Sequence, residues 1–477
     1  MIKQLTLALA AAGILSGCSM APKYARPDAP VASAYPVEPA KSSAAPATQI
    51  SWQEFFRDAR LKALIASALE NNRDLRIAVL RIEEARALYN VQSADRLPNL
   101  DVRALGTRAS VPADLSTVHG TSSRYDVGIS LASFELDFFG RVRSLNDAAL
   151  ASYLATEEAQ RSAQISLVAE VAKAYLNERA FDEQLALTKR SFDARSQSYW
   201  LAQKRFEAGA TSALDLRQFE TLLQSARVTM LTLARQRAQA ENALVLLTGK
   251  PLGNLPAAQA LSDQGVLTDI PAGLPSDLLE NRPDIRQFEQ RLKAANASIG
   301  AARAAFFPRI ALTASRGTAS KTLSGLFDAG SGAWSFAPQL VLPIFDAGRN
   351  IANLNISEAR KSIAVAEYEK TIQTAFREVA DTLVARDLLN EQVDAQAAVL
   401  VAEQERLKLS EARYENGISS SLDVLDAQRQ LFAAEQSLVQ ARLLRLTNAV
   451  DLYRSLGGAW QAENVAATPT AQPKQPD

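Results

Sequence analysis

Hydrophobic and polar residues follow two different periods along this chain, and these periods predict long helices and short strands. Residues 141–208 and 349–416 contain neither glycine nor proline, and each run would form a helix of about 100 Å at 1.5 Å per residue. The segment after each run spaces apolar or small residues alternately four and three apart, which is typical of side-by-side helix packing. We therefore predict two long antiparallel helical hairpins. The seam of the first hairpin comprises Phe219, Leu223, Ala226, Met230, Leu233, Arg237, Ala240, Leu244 and Leu247.

Two arginines interrupt the apolar seams at equivalent positions, Arg237 in the first hairpin and Arg445 in the second. A ligand-binding role is one interpretation. The simpler one is that each side chain reaches solvent or pairs with a neighbouring acid, because the long arginine stem can lie along apolar surface while its charge stays solvated. We favour the simpler interpretation.

Four shorter segments alternate apolar and polar residues with a period of two, which indicates β-strands. Two begin directly after Pro98 and Pro308, and a loop and a second strand follow each of them. Runs of about ten alternating residues with aromatics near their ends are typical of transmembrane barrel strands. The apolar parity flips near Ala132 and Ser133, which predicts a bulge or the end of the membrane part. The alternative is an amphipathic sheet packed on a soluble core.

The number of strands limits how such a sheet could enter a membrane. Four strands cannot close a barrel, and open sheet edges cannot lie in hydrocarbon because their backbone N–H and C=O groups would be unpaired. Several chains would therefore have to share one barrel, and three chains would supply twelve strands. The predicted fold class is mainly α with membrane β, with four barrel strands in each chain of a homotrimer.

A short turn motif occurs twice at an offset of 208 residues, in residues 205–215 and 413–423. Gly209 and Gly417 are expected to be the left-handed residues that end one helix, and the serine three positions later is a suitable N-cap for the next. The aspartate that follows lies in the first helical turn, where a negative charge suits the helix dipole. Each copy is therefore predicted to connect the two helices of a hairpin.

The folded part of the chain is a tandem duplication. Residues 64–98 match residues 274–308 at an offset of 210, whereas the turns match at 208. The two-residue difference between these offsets falls in residues 108–124 against 318–333. We predict that both segments form exposed loops, since loops tolerate insertions best. The predicted division is a signal peptide at 1–17, a lipidated N-terminal tether at 18–50, a first helix-strand-strand-long helix-helix repeat at 51–250, a linker at 251–275, a second repeat at 276–458 and a disordered tail at 459–477.

The N-terminus has the features of a cleaved secretory signal. Lys3 provides a basic start, residues 5–15 are apolar, and Leu-Ser-Gly-Cys ends the segment at Cys18. The apolar stretch is too short for a spanning helix. Its ending resembles the bacterial lipobox, whose cysteine becomes the lipidated N-terminus, and Ser19 resembles the residue found in lipoproteins sent to the outer membrane. The alternative is an ordinary signal peptide with an incidental cysteine.

Composition narrows the possible functions. The chain has 52 basic and 52 acidic residues, so no net field favours nucleic acid. It has one histidine and one cysteine, which leaves little basis for imidazole catalysis or a thiolate metal site. His119 lies in a predicted exposed loop. We expect no enzymatic activity, and no cofactor apart from the covalent lipid on Cys18.

Three longer motifs, together with the turn, carry a family resemblance. They are residues 134–141 (Phe-Glu-Leu-Asp-Phe-Phe-Gly-Arg), residues 272–284 and residues 297–302 (Ala-Ser-Ile-Gly-Ala-Ala). The chain resembles the TolC-type outer-membrane factors, particularly the lipidated OprM-like branch that works with RND multidrug pumps, over residues 18–458. The resemblance implies a trimeric twelve-stranded barrel in the outer membrane, continuous with a long α-helical barrel that extends into the periplasm. It also implies an inner-membrane RND pump and a periplasmic adaptor as partners.

The resemblance further implies a gate at the periplasmic tip, where Gly209 and Gly417 mark hairpin turns that contact the adaptor. The constriction motif of the family matches Leu422, Asp423 and Asp426. In a trimer the two aspartates would form acidic rings, whose mutual repulsion raises carboxylate pKa values, and Leu422 would narrow the pore with an apolar side chain. The alternatives are that Asp423 only complements a helix dipole and that Asp426 lies on a solvated face.

The latch of this gate is expected to differ from that of some relatives. Some members of the family carry an arginine two residues after the turn glycine as an ionic latch, and here Ser419 occupies that position. Arg217 and Arg413 are the candidate replacements, and Asp215 is a lesser candidate for gate support.

The function implied by the resemblance is that of an outer-membrane exit duct of a tripartite efflux pump, which passively conducts drugs and small amphiphiles. A type I protein-secretion duct would have the same architecture. A non-channel periplasmic scaffold lipoprotein is the alternative from another class.

Overall fold

The computed structural model describes residues 19–36, 50–111, 120–268, 270–271 and 275–458. The described elements repeat in the predicted order, and the two long helices have the same length of 67 residues. None of the helices in these ranges combines the length and apolar character needed to cross a bilayer. The helices and strands are α1 (Trp52–Phe55), α2 (Ala59–Asn71), α3 (Arg73–Ala94), β1 (Leu100–Val111), β2 (Gly120–Leu136), α4 (Arg141–Glu207), α5 (Ala213–Thr248), α6 (Leu278–Asn281), α7 (Pro283–Ala304), β3 (Arg309–Ser320), β4 (Gly332–Val341), α8 (Arg349–Glu415) and α9 (Ser421–Ser455).

The residues form two compact units. The strand unit contains residues 81–157 and 287–370 with the N-terminal stretch up to Asp28. The helical unit contains residues 158–286 and the chain from Thr371 onward, together with residues 29–80. The four strands lie in the first unit, and both copies of the turn motif lie in the second.

The predicted helical seams are buried, as their spacing requires. On α5 the buried residues include Leu223, Ala226, Leu233 and Leu244. On α9 they include Ala427, Ala434, Leu438, Ala441 and Leu452. Burial of these side chains removes apolar surface from water, which is the main stabilising term for long helices of ordinary propensity. Burial therefore follows the predicted spacing in both hairpins.

The expectation for the first seam arginine is also confirmed. Arg237 pairs through its guanidinium with Asp182 at 2.7 Å and with the buried Glu178 at 3.2 Å. Arg445 forms no ion pair with the described residues. The duplication explains the difference, because the position that holds Glu178 in the first half holds Arg386 in the second.

An aromatic cluster anchors the start of the folded chain in the helical unit. Ser51 and Glu54 form a capping box at the start of α1. Phe55 and Phe56 are fully buried, and the Phe55 ring stacks on Tyr453 near the end of α9 at a centroid distance of 4.2 Å. Stacked aromatic pairs of this kind add to the stability gained from burial. The cluster therefore joins the beginning of the first repeat to the end of the second.

The N-terminal segment is held along a helix of the strand unit. Residues 19–28 contain neither helix nor strand, and the Arg26 guanidinium binds the buried Glu289 carboxylate of α7 at 3.0 Å. Asn296 donates to the Pro22 carbonyl at 2.7 Å. A Cβ on Gly300 would lie 2.7 Å from the Ala21 nitrogen, so a glycine is needed for this close approach. The composition of the segment predicts an extended chain but not this attachment.

The four strands form one antiparallel sheet in the order β1-β2-β3-β4. The central pair, β2 with β3, joins the two repeats. Gly128 faces Gly317 in that pair, and a Cβ on Gly317 would lie 2.1 Å from the Val127 carbonyl oxygen. The outer edges of β1 and β4 have no strand partner among the described residues of the chain.

The predicted bulge is present in β2. The register against β3 shifts between Leu131 and Phe134, and Ser133 adopts a φ of 53°. An extra residue in one strand reverses the side-chain parity that follows it. The structure differs from the sequence prediction at the loops, because β1 extends to Val111 and β2 begins at Gly120. These strand ends are rich in polar residues, so the alternation of apolar and polar positions did not indicate that they are extended.

Register and alternation give the sheet one apolar face and one polar face. The polar face carries Asp101, Arg103, Arg124, Asp126 and Ser315. The apolar face carries Leu100, Val102, Ala104, Val127, Ile129, Leu131, Ile310, Leu312, Ala314, Trp334, Phe336 and Leu340.

Candidate functional site

The two turn motifs form almost identical local structures. Gly209 and Gly417 both have a φ of 71°, in the left-handed region that only glycine adopts at little cost. In the first turn the Ala210 N–H donates to the Arg205 carbonyl at 2.8 Å, and in the second Ile418 donates to Arg413 at 2.8 Å. This is the Schellman arrangement that satisfies the last carbonyls of a helix. The predicted helix ends are confirmed.

The next helices begin at the predicted serines. The Asp215 N–H donates to the Ser212 hydroxyl at 3.1 Å, and the Asp215 carboxylate accepts from Ser212 in return. At the second turn the Ser420 N–H donates to the Asp423 carboxylate at 3.3 Å. Both aspartates therefore have a structural role at a helix N-terminus. The hydrogen bond from the Ser212 hydroxyl is the main cause that holds the pKa of Asp215 below its usual value.

Two polar contacts join the first turn to the second within one chain. The Arg205 guanidinium donates to the Tyr414 hydroxyl at 2.7 Å and lies over the Tyr414 ring, 5.6 Å from its centroid. The Ser421 hydroxyl donates to the Asp215 carboxylate at 3.1 Å. These contacts connect the first hairpin to the second near their turns. We call these two contacts together, Arg205–Tyr414 and Asp215–Ser421, the turn clasp.

A groove beside the turn clasp collects most of the predicted gate residues. Its volume is about 910 Å³, and it lies between the start of α5, the end of α8 and the start of α9. The groove is lined in part by the predicted residues Arg217, Arg413, Ser419, Leu422, Asp423 and Asp426. Arg406 and Arg429 also line it, so four arginines surround two aspartates.

Asp426 is held between two of those arginines. Its carboxylate forms ion pairs with Arg406 of α8 and with Arg429, three residues further along α9. The hydrogen bond from Arg406 is the main cause that lowers the pKa of Asp426 from 3.8. The sequence led us to expect a raised carboxylate pKa from acidic rings. Within one chain the direction is opposite, because two guanidinium groups favour the charged form.

Leu422 and Asp423 project into solvent at the start of α9. Leu422 is 58% exposed, and its counterpart in the first turn, Leu214, is 68% exposed. Asp423 is also exposed, while the next two residues, Val424 and Leu425, are buried. An exposed leucine beside an exposed acid leaves both side chains available to other molecules.

The two arginines predicted as latch candidates are placed differently. Arg217 forms an ion pair with Glu220, one turn further along its own helix. Arg413 is exposed and forms no ion pair with the described residues. Ser419 is half-buried, and its hydroxyl has no hydrogen-bond partner in the described part of the chain.

Sequence reasoning missed the partners of the site residues. Arg205 and Tyr414 both belong to the Arg-aromatic-Glu start of the turn motif, but nothing in the motif shows that one copy contacts the other. The spacing of Asp426 and Arg429 could have indicated their ion pair, since residues three apart are neighbours on a helix. Cys18 and His119 lie outside the described residues.

The sequence profile of the outer membrane efflux protein family matches residues 64–250 and 274–458. Outer membrane protein OprJ of Pseudomonas aeruginosa is 50% identical over 460 residues, which cover 95% of each chain. The probable efflux pump outer membrane protein TtgC of Pseudomonas putida is 45% identical over 482 residues, which cover 100% of each chain. Among solved structures, the open state of the Neisseria gonorrhoeae MtrE outer membrane channel superposes with a TM-score of 0.86 and 42% identity, over 93% of this chain and 98% of that one.

The turn clasp can be tested with Tyr414→Phe, which removes the hydroxyl that accepts from Arg205 but keeps the ring. One hydrogen bond of this kind contributes about 1 kcal/mol, so amide hydrogen exchange in residues 205–211 and 413–420 should accelerate about fivefold. Tyr199→Phe on α4 is the matched control, because its hydroxyl has no hydrogen bond to the described residues. Equal exchange in the two variants would show that the turns are not held together by this contact.

Proposed function

The chain belongs to the outer membrane efflux protein family, and we propose that it is the outer-membrane exit duct of a tripartite efflux pump. It receives drugs and other small amphiphiles from an inner-membrane RND transporter and a periplasmic adaptor, and it conducts them passively to the outside. The observation that carries this proposal is the match of nearly the whole chain, strands and helical hairpins together, to efflux proteins of the outer membrane at 45–50% identity. A duct needs no catalytic residue and no cofactor.

The open edges of the sheet support a homotrimer. β1 and β4 each present an unpaired row of backbone groups, which hydrocarbon does not tolerate. Pairing β4 of one chain with β1 of the next satisfies both edges, and three chains close a twelve-stranded barrel. The apolar face, with Trp334 and Phe336, then faces lipid, and the polar face lines the lumen. Short apolar bands flanked by aromatics are usual on such barrels.

The exposed residues at the start of α9 support a gate at the turn end of the helices. Three copies of Leu422 and Asp423 around one axis would narrow the opening with apolar and acidic groups. Asp426 then supports this gate, since its ion pair with Arg406 fixes α9 to α8 and its ion pair with Arg429 holds its carboxylate in place along α9. The turn clasp holds the second hairpin, which carries the gate, to the first. Three further residues support this arrangement. Arg413 and Arg217 line the groove, and Asp215 belongs to the turn clasp.

The gate has a defined dependence on pH. Because the pKa of Asp426 is lowered below 3.8, its ion pairs stabilise the folded tip at every pH above that value. This contribution is lost only as the pH falls through the lowered pKa.

The outer turns, marked by Gly209 and Gly417, remain the surface that meets the adaptor.

The gate is tested by replacing Asp423 and Asp426 together with alanine. Removal of the acidic ring and of the ion pairs to Arg406 and Arg429 should loosen the closed state and raise the single-channel conductance of the purified protein in planar bilayers. The matched control removes two exposed acids from the long helices α4 and α8, Asp193→Ala with Asp394→Ala. Unchanged conductance in the gate variant, or an equal rise in the control, would contradict the assignment.

The anchor proposed for the N-terminus is a lipid on Cys18. This single acylation site would assist the barrel in anchoring the protein rather than replace it. Labelled palmitate should be incorporated into the wild-type protein and not into Cys18→Ser. Incorporation into the variant would refute lipidation at Cys18.

The export function is tested by deleting the gene for this chain. Loss of the duct should raise susceptibility to amphiphilic drugs, and complementation with the wild-type gene should restore resistance. If the deletion instead abolished the export of one protein and left drug susceptibility unchanged, the chain would serve type I secretion. A normal phenotype in both assays would favour the scaffold alternative.

A further inference from the structure

Two arginines lie on the apolar face of the sheet, Arg108 near the end of β1 and Arg316 on β3, and of these two only Arg316 has an aromatic register partner. Arg316 lies on the same face of β3 as Leu312 and Ala314. Its register partners are Ile129 on β2 and Trp334 on β4. All four of these neighbours belong to the apolar face, and the Arg316 side chain is exposed. Under the proposed function, on which this inference rests, the guanidinium faces lipid.

The described strands supply no counter-charge for Arg316 on its face of the sheet. The described strands contain three acids, Asp101, Asp126 and Glu135, and register places all three on the polar face. On that face Arg124 pairs with Asp126 at 2.8 Å, and Arg309 pairs with Glu135 at 2.6 Å. Arg316 forms no hydrogen bond or ion pair with the described residues. Because the barrel repeats these same strands, closure brings no strand acid to the apolar face either.

The height of Arg316 on the sheet decides which molecules it can meet. It lies four residues before the end of β3 at Ser320, about 13 Å along the strand at 3.3 Å per residue. That end leads into the loop between β3 and β4, whereas the opposite ends of the strands connect to helices. Trp334 stands beside it, and aromatic girdles mark the boundary between hydrocarbon and headgroups. The long arginine side chain can therefore extend to the headgroups of the outer leaflet.

We propose that Arg316 and Trp334 form a binding site for a phosphorylated glycolipid of the outer leaflet. A guanidinium binds phosphate through two parallel hydrogen bonds, and it binds more strongly where water is scarce. The indole of Trp334 packs against the lipid at headgroup level. The site gives a role to a cation on a face that carries none of the acids of the described strands. It would also hold a shell of anionic glycolipid around the barrel.

The test uses the fluorescence of Trp334 in the full-length protein reconstituted into bilayers. Trp52, Trp200 and Trp460 are replaced with phenylalanine, so that Trp334 is the only emitter among the four tryptophans of the chain. Brominated phosphatidylcholine quenches a tryptophan that it touches. Unlabelled diphosphoryl glycolipid is then added as competitor, in parallel with the same glycolipid after enzymatic removal of its phosphates and with phosphatidylglycerol.

The diphosphoryl glycolipid should relieve quenching at a concentration about fivefold lower than the dephosphorylated form, the change that one cation near an anionic membrane surface typically makes. Arg316→Gln should abolish this difference, and Arg316→Lys should retain part of it. Arg103→Gln, on the polar face of β1, is the matched control and should leave the difference unchanged.

Four results would overturn the inference. Equal competition by both forms of the glycolipid would show that phosphate is not recognised, and equal competition by phosphatidylglycerol would show that the glycolipid is not preferred. Persistence of the difference in Arg316→Gln would place recognition elsewhere. If brominated phosphatidylcholine did not quench Trp334 at all, the strands would not face lipid, and the proposed barrel would fail with the inference.

Discussion

Every backbone N–H and C=O group that enters hydrocarbon must find a partner, and this requirement governs the rest of the structure. One chain provides a four-stranded sheet with two free edges, β1 and β4, so it cannot satisfy the requirement alone. The tandem repeat supplies two strands from each half, and Gly128 and Gly317 allow the halves to pair closely in the middle of the sheet. Trimerisation completes what the duplication begins.

The same three-fold arrangement gives the turns their unequal roles. Both copies end a helix at a left-handed glycine and start the next with a capping serine and aspartate. Both copies expose a leucine, Leu214 and Leu422, but the neighbouring acid is exposed only in the second copy, since Asp215 is half-buried. The turn clasp then makes the first hairpin the support of the second. A partner that separates Arg205 from Tyr414 would release the hairpin on which we propose the gate, at the cost of only a few surface hydrogen bonds.

Local signals predicted the fold well, and contacts between distant residues were beyond them. The bulge near Ser133 was visible as a change of parity, and the ion pair of Arg237 followed from placing a cation in a seam. The attachment of Arg26 to Glu289 joins residues 263 positions apart, and no spacing rule reaches that far. The prediction for the pKa of Asp426 rested on its residue type and not on its neighbours. Within one chain the pKa of Asp426 is lowered instead, because Arg406 approaches from another helix.

The central claim is that several chains must share one barrel, and the stoichiometry of the purified assembly tests it most directly. Native mass spectrometry of the full-length protein, extracted from outer membranes in mild detergent, should give a single species with three copies of the chain. The species should persist in detergent and dissociate on heating, since its barrel is closed by backbone hydrogen bonds between chains. A membrane-inserted species with one copy would contradict the account, because its strand edges would then be unpaired in lipid.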